Sequence, residues 1–122
     1  MIFSMIILIM VFGISKAMCD LSESGFADSK LKGLNPQFWD KHKSWRNKWK
    51  GGVAANGEKF LGSSTFLVWT TDAWHLFNAL SYLSLFLSGM ISVLIIKNTV
   101  FISLVFILNF ITFELLYKYL KN

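Results

Sequence analysis

The chain has 122 residues, 54% hydrophobic and 16% aromatic, with a formal net charge of +5. That apolar share exceeds the roughly 45–50% of an ordinary soluble domain. The single Cys19 excludes an intrachain disulfide and a cysteine-based zinc cluster, and the roughly 45 residues outside the apolar runs are too few for a soluble catalytic fold.

Residues 1–17 read as a signal peptide. Ile2 to Ile14 is an apolar core of suitable length, and Ser15 and Ala17 place small residues at −3 and −1 for cleavage after Ala17. No Lys or Arg precedes the apolar run, so the alternative is an uncleaved anchor helix. Residues 18–34 are polar and mixed and predict a linker.

Residues 35–62 carry the best-punctuated element. Asn35 is a good N-cap, Pro36 belongs at the first helical position, and Gly51-Gly52 supplies the stop. Between them Phe38, His42, Trp45 and Trp49 recur at helical spacing, with Trp39 at the flank. Lys41, Lys43, Arg46, Lys48 and Lys50 occupy most of the remainder. Tryptophan favours the headgroup level, and lysine and arginine extend their ends toward phosphate. The pattern predicts a basic, aromatic amphipathic helix on the bilayer surface, with Trp39, Trp45 and Trp49 inserting and the five cations on anionic headgroups. The alternative packs its aromatic face on the rest of the chain or on a partner. Nucleic acid is the weaker reading of the charge. Asn56-Gly57 predicts a turn.

Residues 63–122 predict a transmembrane helical hairpin preceded by a short half-buried helix at 63–70. Leu76 to Ile96 contains no charged side chain and spans about 30 Å as a helix, the thickness of a bilayer core. Thr71 is a candidate N-cap, with Asp72 in the first turn. Asn78, Ser81, Ser84, Ser88 and Ser92 fall within an arc of about 120° and form a small-residue ladder for helix packing. Lys97-Asn98-Thr99 is a tight connection, and the return helix, about 99–119, is expected to lie antiparallel beside it. Its Asn109 and Thr112 are expected to bond across to the Ser/Asn stripe. Glu114 and Lys118 form an i, i+4 pair in the favourable order.

Asp72 and His75 stand three apart at the mouth of the span. An ionisable pair there is a candidate catalytic, proton-relay or metal site; the structural alternative is a helix cap with a hydrogen-bonded imidazole. No nucleophile elbow, phosphate-binding glycine loop or HExxH pattern is present.

The two N-terminal readings give opposite topologies. Cleavage at Ala17 puts the basic segment on the exported side, against the positive-inside tendency; a retained anchor puts it inside together with Lys118 and Lys121.

Phe38-Trp39, Ser44-Trp45-Arg46-Asn47-Lys48, Lys50, Gly57, Phe60, Gly62-Ser63-Ser64-Thr65, Leu67-Val68-Trp69-Thr70-Thr71-Asp72 and His75 together resemble the pattern of a family of small bacterial membrane proteins that carries no assigned activity. The resemblance implies a module from the tryptophan-rich segment to His75; the expected location is the bacterial inner membrane, as a multi-pass protein.

The expectation is therefore an all-α membrane protein, non-enzymatic, without metal or cofactor. Its partners are the bilayer, anionic headgroups, and a membrane protein or a second copy. The alternatives are a membrane-embedded enzyme or proton/metal site at Asp72 and His75, and a pore-forming, holin-like protein.

Overall fold

Apolar content alone accounts for three long helices. The computed structural model describes the backbone of residues 2–95 and 99–121, and the side chains of 3–92 and 107–121. The connection expected at Lys97-Asn98 lies outside the described residues. Helices α1 (Ile2–Asp20), α2 (Pro36–Trp39), α3 (Lys41–Ser44), α4 (Ala73–Ile95) and α5 (Thr99–Lys121) follow in order, and the segments between them are mostly 3-10 turns. Among the described residues no strand forms; one isolated antiparallel bridge pairs Trp49 with Glu58. One helical stretch, Phe3–Asp28, is long and apolar enough to cross a membrane by length and composition.

Helix α1 is the axis of the packing, and both α4 and α5 lie chiefly against it. Its Met5, Ile9, Gly13 and Ala17, with Leu21 of the turn that continues it, recur every four residues, and all are buried. The Ser92 hydroxyl of α4 lies 3.3 Å from Met5 Sδ, and Cys19 Sγ lies 3.5 Å from the Trp74 carbonyl. These contacts at opposite ends make α1 and α4 antiparallel. Gly13 fits against α5: a Cβ there would stand 2.8 Å from Asn109 Oδ1 and 3.0 Å from its carbonyl oxygen. Lys30, beyond the C-terminal end of α1, sits 3.5 Å over the Tyr119 ring, so α1 and α5 run the same way.

This differs from the expected hairpin seam. The serine ladder faces α1, with Ser81, Ser84 and Ser88 buried. Its hydroxyls turn back on their own helix: Ser81 donates to the Asn78 carbonyl, Ser84 to Ser81, Ser88 to Leu85 and Ser92 to Ser88, at 2.7–2.9 Å. Thr112 likewise donates to Leu108, not across to the stripe. Once satisfied locally, the hydroxyls leave a narrow surface that a neighbouring backbone can approach. The Glu114–Lys118 pair forms as expected, at 3.2 Å.

The side chains turned outward are large and apolar. On α1 they are Phe3, Ile7, Met10 and Ile14; on α4 Leu83, Phe86 and Met90; on α5 Ile107, Phe110, Ile111 and Leu115. Among the described residues the interior mixes apolar Met5, Ile9, Met18 and Leu21 with small and hydroxyl residues, while large apolar side chains cover much of the outside.

The helix expected over 36–50 is broken. Asn35 caps as predicted, its Oδ1 accepting from the Gln37 N–H at 2.9 Å. Asp40 then turns extended (φ −90°, ψ 107°), and its carboxylate accepts from the His42 N–H at 3.0 Å. An aspartate that caps a second helix ends the first. Trp45–Lys48 continues as a 3-10 turn, and Trp49 is extended (φ −111°, ψ 148°). Phe38, His42, Trp45 and Trp49 therefore do not share one helical face. The expected helix at 63–70 is also replaced by turns, ending in the 3-10 turn Val68–Thr70. Gly62, just ahead of it, is left-handed (φ 80°).

Candidate functional site

The segments between α1 and α4 gather at one end of the bundle as a polar cap. Glu23, in the π-helical turn Leu21–Gly25 that continues α1, is its hub. Its Oε1 accepts from Lys41 Nζ at 2.6 Å and its Oε2 from Trp74 Nε1 at 3.1 Å. Its backbone carbonyl lies 2.8 Å from His42 Nε2; a carbonyl only accepts, so that nitrogen carries the hydrogen. Lys41 also stands 3.8 Å over the Trp74 ring. One carboxylate thus ties together the end of α1, α3 and the start of α4. Glu23 sits in the segment that reads as a linker, and only the tertiary fold brings it to Lys41.

The chain next folds back on itself. The Lys50 N–H donates to the Gly57 carbonyl at 3.0 Å and the Lys59 N–H to the Lys48 carbonyl at 2.9 Å. The Asn56-Gly57 turn closes this hairpin, with Gly57 at φ 79°. Ser63 donates to the Lys48 carbonyl at 2.7 Å. Glu58 accepts from the Gly62 N–H at 2.9 Å, the Ser64 N–H at 3.1 Å, and the Ser64 hydroxyl. The Ser64 hydroxyl, then the two N–H groups, hold the Glu58 carboxyl below the ordinary carboxylate range. Asn47 bridges this region to α4, its Nδ2 donating to the Gln37 carbonyl at 2.5 Å and the Thr71 carbonyl at 2.9 Å.

Asp72 is buried and caps α4. Its Oδ1 accepts from the His75 N–H at 2.9 Å, and its Oδ2 lies 2.7 Å from His75 Nδ1. The Thr71 hydroxyl, which donates to the Val68 carbonyl at 2.7 Å, lies 3.1 Å from the same Oδ2. The cap is thus Asp72, where Thr71 was expected. Both carboxylate oxygens are engaged in starting the helix and orienting one imidazole. Among the described residues no group of three His, Cys, Asp or Glu side chains could hold a metal.

The sequence-predicted cations divide. Lys41 is drawn inward by Glu23, and Lys43 lies 3.8 Å from Asp40 with its end mostly exposed. Arg46 leans on Trp45 and Lys48 on Trp49, at 5.3 and 5.8 Å from the ring centroids; Lys50 is exposed. Of the tryptophans, Trp39 packs on Phe77 of α4 with centroids 5.9 Å apart, Trp49 is half-buried and Trp45 is exposed. Lys43, Arg46 and Lys59 line a cleft of about 610 Å³ with Gln37, Asn47 and Trp49. Lys59 is the cation that sequence reasoning left out, because it reaches the cleft only through the hairpin.

The chain matches no family model, no curated protein and no solved structure.

Proposed function

We propose that the chain is a small multi-pass protein of the bacterial inner membrane. In this reading α1, α4 and α5 all span, α1 is a retained helix, and the cationic cap rests on anionic headgroups. Its role is to present that cap, without catalysis, to the lipid surface or to a membrane partner. The resemblance to small bacterial membrane proteins of unassigned activity points the same way. The observation that carries the reading is the apolar exterior: Phe3, Ile7, Phe86, Met90, Phe110 and Leu115 face outward, around an interior that includes buried Ser15, Ser81, Ser84 and Ser88 beside Met5 and Ile9. Water would disfavour that surface by about 25 cal/mol per Å² of exposed apolar area, whereas lipid accommodates it.

Retention of α1 is supported by its packing. Met5, Ile9 and Ala17 are within the buried set, and the helix runs past Ala17 to Asp20. Cleavage after Ala17 would remove most of the surface that α4 and α5 share. Alkaline extraction of membranes tests the first claim: the protein should stay in the pellet, and a freely soluble, monodisperse protein without detergent would overturn it. N-terminal sequencing of the purified chain tests the second; a terminus at Met18 would refute retention.

A further inference from the structure

We infer that the cleft lined by Lys43, Arg46 and Lys59 is a built site for the phosphate group of an anionic glycerolipid. The inference deepens, and rests on, the membrane reading above.

Three cations reach one cleft of about 610 Å³ from three separate pieces of chain: α3, the 3-10 turn after it, and the return leg of the hairpin. No acid lines the cleft. Among the described residues neither Arg46 nor Lys59 is paired with a carboxylate. Lys43 has Asp40 at 3.8 Å, so Arg46 and Lys59 are the two cations there without a carboxylate partner, and an anion in the cleft would supply one. The walls are fixed. Asn47 is pinned through its amide to Gln37 and Thr71. Gly52, left-handed at φ 75°, also lines the cleft; a Cβ there would stand 3.5 Å from Arg46 Cβ, so the glycine lies along the stem of the arginine. The planar guanidinium offers paired donors that suit phosphate oxygens.

A second cleft of about 310 Å³ shares Gln37, Asn47 and Lys59 with the first, and adds Phe38, Phe60 and Thr71. Gln37, Asn47 and Lys59 thus form a wall common to the cationic cleft and to a second one lined by two aromatic rings and by Thr71 at the head of α4. A free phosphate needs only the first compartment. A phosphate carrying glycerol and acyl chains uses both.

The test is calorimetric titration of the full chain in neutral detergent with dihexanoyl phosphatidic acid, dihexanoyl phosphatidylcholine and inorganic phosphate. Phosphatidic acid should bind saturably, one per chain, and at least about tenfold tighter than either of the others. The double variant R46Q/K59Q should lose at least about tenfold in that affinity. K48Q/K50Q removes the same charge outside the cleft and should change it by less than about threefold. R46K, which keeps charge but loses the fork, should weaken binding measurably and covers the case in which R46Q/K59Q does not fold, as read by circular dichroism. Equal weakening by the two doubles would overturn the cleft while leaving headgroup attraction intact. Phosphate binding as tight as that of phosphatidic acid would overturn the lipid as its source. Saturable binding by a protein that needs no detergent would instead sink the membrane reading.

Discussion

Glu58 acts through the hydrogen bonds that its carboxylate accepts, from the Gly62 and Ser64 N–H groups and the Ser64 hydroxyl. Its folded pKa is lowered, so the ionised form stabilises the turn above the ordinary carboxyl pKa of 4.5, and that contribution is lost as pH falls through the lowered folded value. Amide exchange at Gly62 and Ser64 should therefore be slow at pH 6 and accelerate below about pH 4.5 beyond the intrinsic trend, and E58Q should abolish the difference. Protection independent of pH in the parent would contradict this. At Asp72 the expectation separates two substitutions. D72N keeps an oxygen for the His75 N–H and should change thermal stability little; D72A removes the cap and should cost about 1–2 kcal/mol, read from detergent-phase melting. Substitution of Glu23 is milder than its central position suggests, because the Lys41 and Glu23 side chains are 27% and 49% exposed. E23Q should cost less than about 1 kcal/mol.

Among the elements, the seam of α1 with α5 depends on Gly13. A Cβ would come within 3.0 Å of the Asn109 backbone, which cannot move aside as a flexible side chain can. G13V should destabilise by about 1–3 kcal/mol, whereas I14V, on the exposed side of the same helix, should be nearly silent. Equal melting shifts for the two would mean that α1 does not pack in this way. The three long helices were legible because their apolar runs leave no other option, and their ends fell within a few residues of expectation. The seam was not. Gly13 and Ala17 are a small-xxx-small pair, yet they stand inside a stretch whose length and terminal small residues also fit a signal peptide. The break at Asp40 carried a local signal too, since Asp is as good an N-cap as Asn35. The aromatic spacing from Phe38 to Trp49 favoured one helix, and the pairing of Trp49 with Glu58 prevailed over it. The partners of Glu23 and Lys59 lie far away in sequence, and no local pattern carries such contacts.

For the molecule as a whole, the two packings of α1 fix which ends lie together. The α1 N-terminus and the C-terminal end of α4 share one end, while the cap and the C-terminal end of α5 share the other. Reporter fusions at positions 55 and 122 should therefore give the same sidedness, and opposite signals would exclude three spans. Charge follows the same division. Of the 12 Lys and Arg residues, all but Lys97 belong by chain position to the cap end or to the helix ends that adjoin it. A resting voltage, negative inside, acts on that imbalance at about 2.3 kcal/mol per elementary charge per 100 mV. All seven acids lie toward the same end by chain position, leaving it a net +4, and in the proposed membrane reading an upside-down molecule would hold that net charge against the field. In that reading, copies that associate would do so side by side with the same end up, and an inverted pair would set one member against the field.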